Sequence, residues 1–314
     1  MKPIIHISRC LGFEAVRYNG EIIPDNFIEE LKPFVEFKTV CPEMEIGMGV
    51  PRPPIHIQKR KDGDHLIQPS TGKDFTTKMT SFAKKRVAAL REIDGFILKA
   101  KSPSCGLGDT KFYGEKPNTP ALGKKNGLYA EEVLRQHPHA AVVSEMQLTN
   151  LGIREAFLTH IFLMADFRTI KKQLKMKDLV RFHSENKYLM LAYNEKLMRK
   201  LGLIVANNDK LKSEIVFKEY EILLPQIFSK PCKPGAVINV LMHGFGFVSD
   251  RLTRSEKNYF LKLLEQYRSK KIPLSTCSAV LKVHAERFKE EYLLSQRFFN
   301  PYPEELKNLK DTGH

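Results

Sequence analysis

The chain has no tryptophan and only five cysteines, at 10, 41, 105, 232 and 277, in 314 residues. That number is odd and sparse: a secreted disulfide scaffold of this length would need more, and one thiol would be left over. Reduced thiols in a reducing compartment are the expectation, and with them a cytoplasmic protein. No apolar run approaches the ~20 residues that span a bilayer, so no membrane partner is expected. The opening stretch from Met1 to Gly12 has a short apolar run. It reads as a strand and lacks the length and the small-residue cleavage site of a signal peptide. Gly 18 and Pro 18 are too few for collagen or a low-complexity tract.

Acidic residues are in the minority. The formal charge is +15, from 51 basic and 36 acidic residues. Residues 1–150 carry 22 basic and 18 acidic groups, a net of +4, whereas residues 151–314 carry 29 and 18, a net of +11. Such a field favours anions in general, nucleic acid included, without specifying one. A solvated basic face accounts for it equally well, as it does for the lysine run at 171, 172, 175 and 177.

The hydrophobic pattern changes near residue 150. Before it, strand-like runs (Ile4–Ser8, Val35–Val40, Gly95–Lys99, Ala140–Ser144) alternate with helical patterns, one capped by Asp25, one starting at Thr76 or Thr77, and one over Tyr129–Gln136. Val50 to Pro54 is proline-rich, Lys59 to Asp64 reads as a charged loop, and a Gly/Asn/Lys-rich loop precedes Tyr129. Alternation of this kind predicts βα crossovers and a parallel sheet with helices on its faces. After it, long helical patterns take over: Ile153–Met164, Leu179–Leu201, Lys210–Phe228, Arg254–Tyr267 and Leu274–Phe298. The predicted fold class is a parallel-sheet α/β domain, residues 1–155, followed by a separate all-α domain, residues 156–314. The last residues, 309–314, read as a frayed end.

Three of the cysteines share an architectural position. Cys10 follows the first strand, Cys41 the second, and Cys105 lies in the loop leaving the third. Loops at the carboxyl ends of parallel strands lie along one edge, where such folds build their sites. No C-x-x-C pair exists, so spacing alone says little; loop chemistry says more. Proline directly follows Cys41, and Cys105 sits in Ser102-Pro103-Ser104-Cys105-Gly106, a tight loop whose glycine allows close approach. Three soft thiolates suit zinc, copper(I) or an iron–sulfur cluster, and three rather than four leaves a metal open to substrate. Any one of them read alone is as well explained as a small buried hydrophobe. Cys232 and Cys277 fall in the helical half and read as core or surface thiols.

Glu43 and Glu45, two and four residues after Cys41, are candidates to activate water if burial or neighbouring negative charge lifts their pKa. Ser102 and Ser104 offer hydroxyls beside Cys105, although loop capping is the usual work of such serines. Arg17, Arg52 and Lys99 lie near the motif loops and are expected at the same edge, to offset thiolate charge or hold an anion or a base carbonyl. His183 reads as a packed or capping histidine.

These residues carry a resemblance. The ordered motifs Cys10-Leu11-Gly12, Arg17-Tyr18-Asn19-Gly20, Val40-Cys41-Pro42-Glu43, Pro51-Arg52, Lys73-Asp74-Phe75-Thr76 and Ser102-Pro103-Ser104-Cys105-Gly106 resemble the DUF523 family, which includes thiouracil desulfurases. The resemblance spans roughly residues 1–155. Leu179-Val180-Arg181-Phe182-His183 and Arg297-Phe298-Phe299-Asn300-Pro301-Tyr302-Pro303 resemble the DUF1722 domain often fused behind it. The resemblance implies a [4Fe–4S] cluster held by Cys10, Cys41 and Cys105, with one iron open to sulfur. It also implies Glu43 as catalytic carboxylate and Ser102 as helping hydroxyl. The implied reaction converts C=S to C=O in a small thiolated pyrimidine, with sulfide released or passed to an acceptor. Phe13 after Cys-Leu-Gly, where a second leucine is common, and Phe75, where valine is usual, are apolar departures that leave the ligands intact. Two rivals remain: an RNA-directed module using the basic helical half, and a zinc or redox-thiol protein using the same cysteines.

Overall fold

The computed structural model describes residues 1–116 and 119–307. In chain order the first half contains β1 (Ile4–Ser8), α1 (Asn26–Leu31), β2 (Glu36–Val40), α2 (Pro42–Glu45), β3 (His56–Arg60), β4 (Gly63–Gln68), β5 (Lys73–Asp74), α3 (Thr76–Ala88), β6 (Gly95–Leu98), β7 (Thr110–Tyr113), β8 (Gly123–Lys125), α4 (Leu128–Gln136) and β9 (Ala141–Ser144). Then come α5 (Leu151–Lys171), α6 (Met176–Glu185), α7 (Lys187–Ala206), α8 (Ser213–Leu223), α9 (Pro234–Gly246), α10 (Arg254–Arg268), α11 (Leu274–Arg287) and α12 (Glu291–Leu294). Among the described residues the compact units are Met1–Ala165 with Glu305, Leu306 and Lys307, and Asp166–Glu304.

Strands β2-β1-β6-β9 form the expected parallel sheet, in that order. Every side chain of β1 and of β6 is buried, as it must be for strands covered on both faces. Asp25 caps α1, its Oδ1 accepting the Ile28 N–H at 3.0 Å.

A second sheet, β5-β4-β3-β7-β8, lies where the sequence suggested loops. The charged stretch at Lys59–Asp64 is the turn region of a β3–β4 hairpin, with Arg60 opposite Gly63. The period-2 signal is faint there because β3 buries only Ile57, while β4 buries Leu66, Ile67 and Gln68 in a row, so neither strand shows an apolar–polar alternation. Asp62-Gly63 is itself a turn signal, and Gly63 has φ +140°. The Gly/Asn/Lys-rich stretch likewise holds β7 and β8. The start of α3 also differs from expectation: neither threonine is its cap. Phe75 occupies that position, and the Thr76 hydroxyl accepts the Leu66 N–H at 2.8 Å, fastening the helix to β4.

One core joins the two sheets. Val40, Phe96 and Leu98 from the first meet Ile57 and Leu66 from the second, with Met79 and Val87 of α3 and Tyr129 and Val133 of α4 between them. Each such fully buried side chain contributes ~1.5–3 kcal/mol. Cys105 belongs to the same cluster, so its loop is seated on the core.

The second unit is all helix. The long pattern at Leu179–Leu201 is two helices separated at Asn186, whose Nδ2 donates to the Phe182 carbonyl at 2.9 Å. Helix α7 is further interrupted at Asn194, which has extended backbone angles. Helix α9, opened by Pro234, was not singled out from the sequence. Among the described residues no helix is long and apolar enough to cross a membrane.

Candidate functional site

The carboxyl ends of the parallel strands carry three of the predicted residues and one that was not predicted, Glu145. Cys10 stands two residues beyond β1, Cys41 directly beyond β2, Lys99 directly beyond β6, and Glu145 directly beyond β9. The topology of the sheet is what makes these ends neighbours.

The loop after β6 is held from several sides. The Ser102 carbonyl accepts the Gly106 N–H at 2.8 Å and the Thr110 hydroxyl at 2.7 Å. The Ser102 hydroxyl oxygen accepts the N–H groups of Ser104 at 3.2 Å and Cys105 at 3.1 Å. The Ser104 carbonyl accepts the N–H groups of Tyr129 at 2.9 Å and Ala130 at 3.1 Å, tying the loop to α4. Two glycines permit this packing. A Cβ on Gly127 would lie 2.4 Å from the Ser104 carbonyl carbon and 2.7 Å from the Cys105 nitrogen, and one on Gly106 would lie 2.0 Å from the Thr110 hydroxyl.

The three thiols influence one another. Burial pushes Cys10 up to about 12, with Cys41, Glu145 and Glu43 adding to the rise and Lys99 opposing it. Burial also raises Cys41, opposed by the backbone N–H of Met44 and by Arg52. Cys105 is raised by burial, then by Cys10, Glu43 and Cys41, against the Ser8 hydroxyl hydrogen-bonded to its sulfur. Among the described residues, no group of three or more His, Cys, Asp or Glu side chains is arranged to hold a metal ion. Cys277 is buried elsewhere, on α11, its thiol donating to the Leu263 carbonyl at 3.6 Å.

Glu43 sits among these groups. Its Oε2 accepts the Arg52 Nε–H at 2.9 Å and also contacts Nη2. Its Oε1 accepts the Ser104 hydroxyl at 2.9 Å. Arg52 is almost wholly buried, and its remaining donors go to the carbonyls of Gly49 at 2.8 Å and Val16 at 3.1 Å. Its fork is therefore occupied by protein, chiefly by Glu43. Glu45, by contrast, turns outward to Arg9 at 2.8 Å.

Lys99 is paired with Glu145 and donates to the Ala100 carbonyl at 3.0 Å, while Glu145 Oε2 accepts the Ala100 N–H at 2.8 Å. The Lys99 N–H reaches the Ser8 hydroxyl at 2.9 Å, so lysine, serine and Cys105 form one chain of contacts. Arg17 is placed differently: it pairs with Glu21 at 3.0 Å and lies over the Tyr18 ring at 5.6 Å. Ser104, Ser8 and Glu145 were not singled out for these contacts. Ser104 and Glu145 had a findable signal, one inside the Ser-Pro-Ser-Cys motif and the other at the end of a strand.

An α/β layer with a three-thiol edge, a buried arginine-held carboxylate and an appended helical domain is the class of protein these features define. The sequence profile of the 2-thiouracil desulfurase family matches residues 5–145, and that of DUF1722, a domain of unknown function, matches residues 187–303. YbbK of Bacillus subtilis, an uncharacterised protein, is 34% identical over 123 residues, covering 36% of this chain and 82% of YbbK. YbgA of Escherichia coli, also uncharacterised, is 26% identical over 161 residues, 51% of this chain and 95% of YbgA. A solved structure of a [4Fe-4S]-dependent thiouracil desulfidase, TudS, is 29% identical, covering 47% of this chain and 93% of that one, with a TM-score of 0.37. The chain belongs to the 2-thiouracil desulfurase (DUF523-like) family, fused to a DUF1722 domain. Its reaction class is desulfuration of a small thiolated substrate.

Proposed function

We propose that residues 1–155 form a catalytic domain that hydrolyses the thiocarbonyl of a small pyrimidine of the thiouracil kind. The overall reaction is C=S plus water giving C=O plus hydrogen sulfide, without net redox change. The observation that carries this reading is the placement of one carboxylate: Glu43, two residues after Cys41, accepts the hydroxyl of Ser104, the neighbour of Cys105, at 2.9 Å. A general base belongs within reach of the reacting centre.

The donor set suits a [4Fe–4S] cluster. Three soft thiols arrive from three loops, and their mutual repulsion as thiolates is the cost that a bound cationic metal centre removes. Cys10, Cys41 and Cys105 would hold it, and it would supply a thiophilic Lewis acid with one position open.

The protein groups do the rest. Glu43 takes a proton from the attacking water through Oε1, with Oε2 held by Arg52 and the carboxylate plane set by Ser104. The Ser102 oxygen already accepts two backbone N–H groups, which leaves its O–H to hydrogen-bond the base or the departing sulfur. Lys99, fixed by Glu145, places positive charge beside Cys10 and suits a substrate anion or the leaving hydrosulfide.

Anaerobic reconstitution with iron and sulfide, followed by assay of 2-thiouracil conversion to uracil and sulfide, tests the reading. Wild type is expected to gain broad visible absorption and turn over, and each cysteine-to-serine variant to lose both. Stoichiometric zinc with no visible absorption, or an iron-loaded protein inert toward every thiolated pyrimidine, would overturn it.

A further inference from the structure

The helical unit has a cleft of its own. About 720 Å³ in volume, it lies between α6, α7 and α12, and its walls include Val180, Met198, Leu203, Val205 and the Tyr292 ring. That volume is in the range of small-molecule sites. Leu203 is 70% exposed and Val180 50%, so two aliphatic side chains stand at the mouth of the cleft in contact with solvent.

Polar and charged side chains interrupt this apolar lining: His183, Ser184, Lys187 and Arg199. His183 is anchored from behind, its Nδ1 lying 3.1 Å from the Tyr220 hydroxyl. Burial first, and then Lys187, push its pKa down to about 4, so the ring is neutral at physiological pH. A ring nitrogen is a far better acceptor than a thioether, so the Tyr220 proton goes to Nδ1 rather than to the Met190 sulfur at 3.8 Å. Nε2 then carries hydrogen and is a donor. Its edge is kept open by Gly202, whose hypothetical Cβ would sit 3.3 Å from Nε2. Among the described residues no protein group is hydrogen-bonded to Nε2 or to the Lys187 ammonium. Arg199, also on the cleft, is spent on Glu195 at 2.8 Å.

We propose that this cleft binds a carboxylate with an apolar body, its carboxyl group held by the Lys187 ammonium and the His183 Nε2–H and its body laid on Val180, Leu203 and Tyr292. The two polar groups are both donors and bring one uncommitted positive charge between them, which matches a monoanion. Aliphatic walls suit a hydrocarbon body, and a ten-carbon chain fits well inside the cleft. A doubly charged phosphate would leave charge unmatched against apolar surface. The site would give the helical domain a ligand independent of the desulfurase reading.

Isothermal titration of the full chain with sodium decanoate, below its micelle concentration, tests this. One saturable site is expected. Lys187→Glu and Leu203→Asp, both at exposed positions, are expected to weaken binding at least tenfold with unchanged circular dichroism. His183→Phe is expected to do the same. Should that variant fail to fold, the two surface variants still decide. No saturable binding to wild type, or equal affinity in Lys187→Glu and Leu203→Asp, would overturn the site. Uridine monophosphate binding ten times tighter than decanoate would overturn the ligand class.

Discussion

The Ser104 hydroxyl donates to Glu43 Oε1 at 2.9 Å across 61 positions of sequence, joining the Cys41 loop to the Cys105 loop through a carboxylate. Because Arg52 holds the other oxygen, Glu43 has a defined plane and one remaining direction in which to receive a proton. Glu43→Gln is expected to load iron normally and lose ~10²–10⁴ in turnover, the usual worth of a general base. Ser104→Ala should lose about tenfold in kcat, the effect of one lost orienting hydrogen bond of ~1–1.5 kcal/mol. Glu45→Gln should be unaffected, since that side chain faces Arg9. Steady-state kinetics on iron-normalised enzyme separates the three; a dead Glu45→Gln beside an active Glu43→Gln would transfer the base to Glu45.

Arg52→Ala takes from the partly buried Glu43 its cationic partner and from the Gly49 carbonyl its donor. Removing one partner of such a pair costs ~3–5 kcal/mol, so a large fall in the midpoint of urea unfolding is expected. Arg17→Ala, which removes only a partly exposed pair with Glu21, should stay within ~0.5 kcal/mol of wild type.

At Gly127 alanine requires the Cys105 loop to move, because backbone atoms stand 2.4–2.7 Å from the new carbon. Gly127→Ala should lower stability by ~1–3 kcal/mol and reduce iron uptake on reconstitution. Gly235→Ala, where nothing lies within 4 Å, is the control. Equal iron content in the two variants would show that the loop is more compliant than its packing indicates.

Metal-free protein should alkylate slowly at Cys10. A thiol raised from 9.0 to about 12 has ~10³ less thiolate at pH 8, partly offset by the greater nucleophilicity of a more basic sulfur. The net expectation is a rate a few tens of times below that of a free cysteine, read by peptide mass spectrometry after iodoacetamide. Lys99→Met should slow it further, since Lys99 favours the Cys10 thiolate.

His6 is fully buried in β1, with Nε2 2.7 Å from the Tyr129 hydroxyl. Burial, then Arg86, His137 and Lys38, lower its pKa from 6.5 to about 3. A depressed pKa means that the unfolded chain binds the proton first, so stability is intact above pH 6.5 and declines as pH falls toward 3. At pH 5.5, one unit below the unfolded value, the loss from this residue is ~1.4 kcal/mol. Unfolding midpoints at pH 7.5 and 5.5 should differ less in His6→Gln than in wild type, whatever that variant does to stability itself.

Much of this was legible in the linear chain because its signals are local. The parallel strands announce themselves by short apolar runs, buried throughout in β1 and β6, and the long helices by their repeat of apolar positions. Cys10, Cys41 and Cys105 follow β1, β2 and β6, and because those strands run parallel their carboxyl ends share one edge. The second sheet was not legible, since β3, β4, β7 and β8 bury few residues each and carry lysines and aspartates that read as loop. Nor was the division of work among the serines. Ser102 and Ser104 are equivalent as letters in a motif, and only the fold brings Glu43 to one and turns the other's oxygen onto backbone N–H groups. The same holds for the arginines: Arg17 and Arg52 look alike beside their motifs, but Arg52 is driven inside, where a charge must find partners, and Arg17 stays at the surface with Glu21. Residue type and spacing determined which chemistry the chain could carry. Which atom meets which was decided by tertiary packing, because hydrogen bonds across 40 to 60 positions exist only once the core has closed.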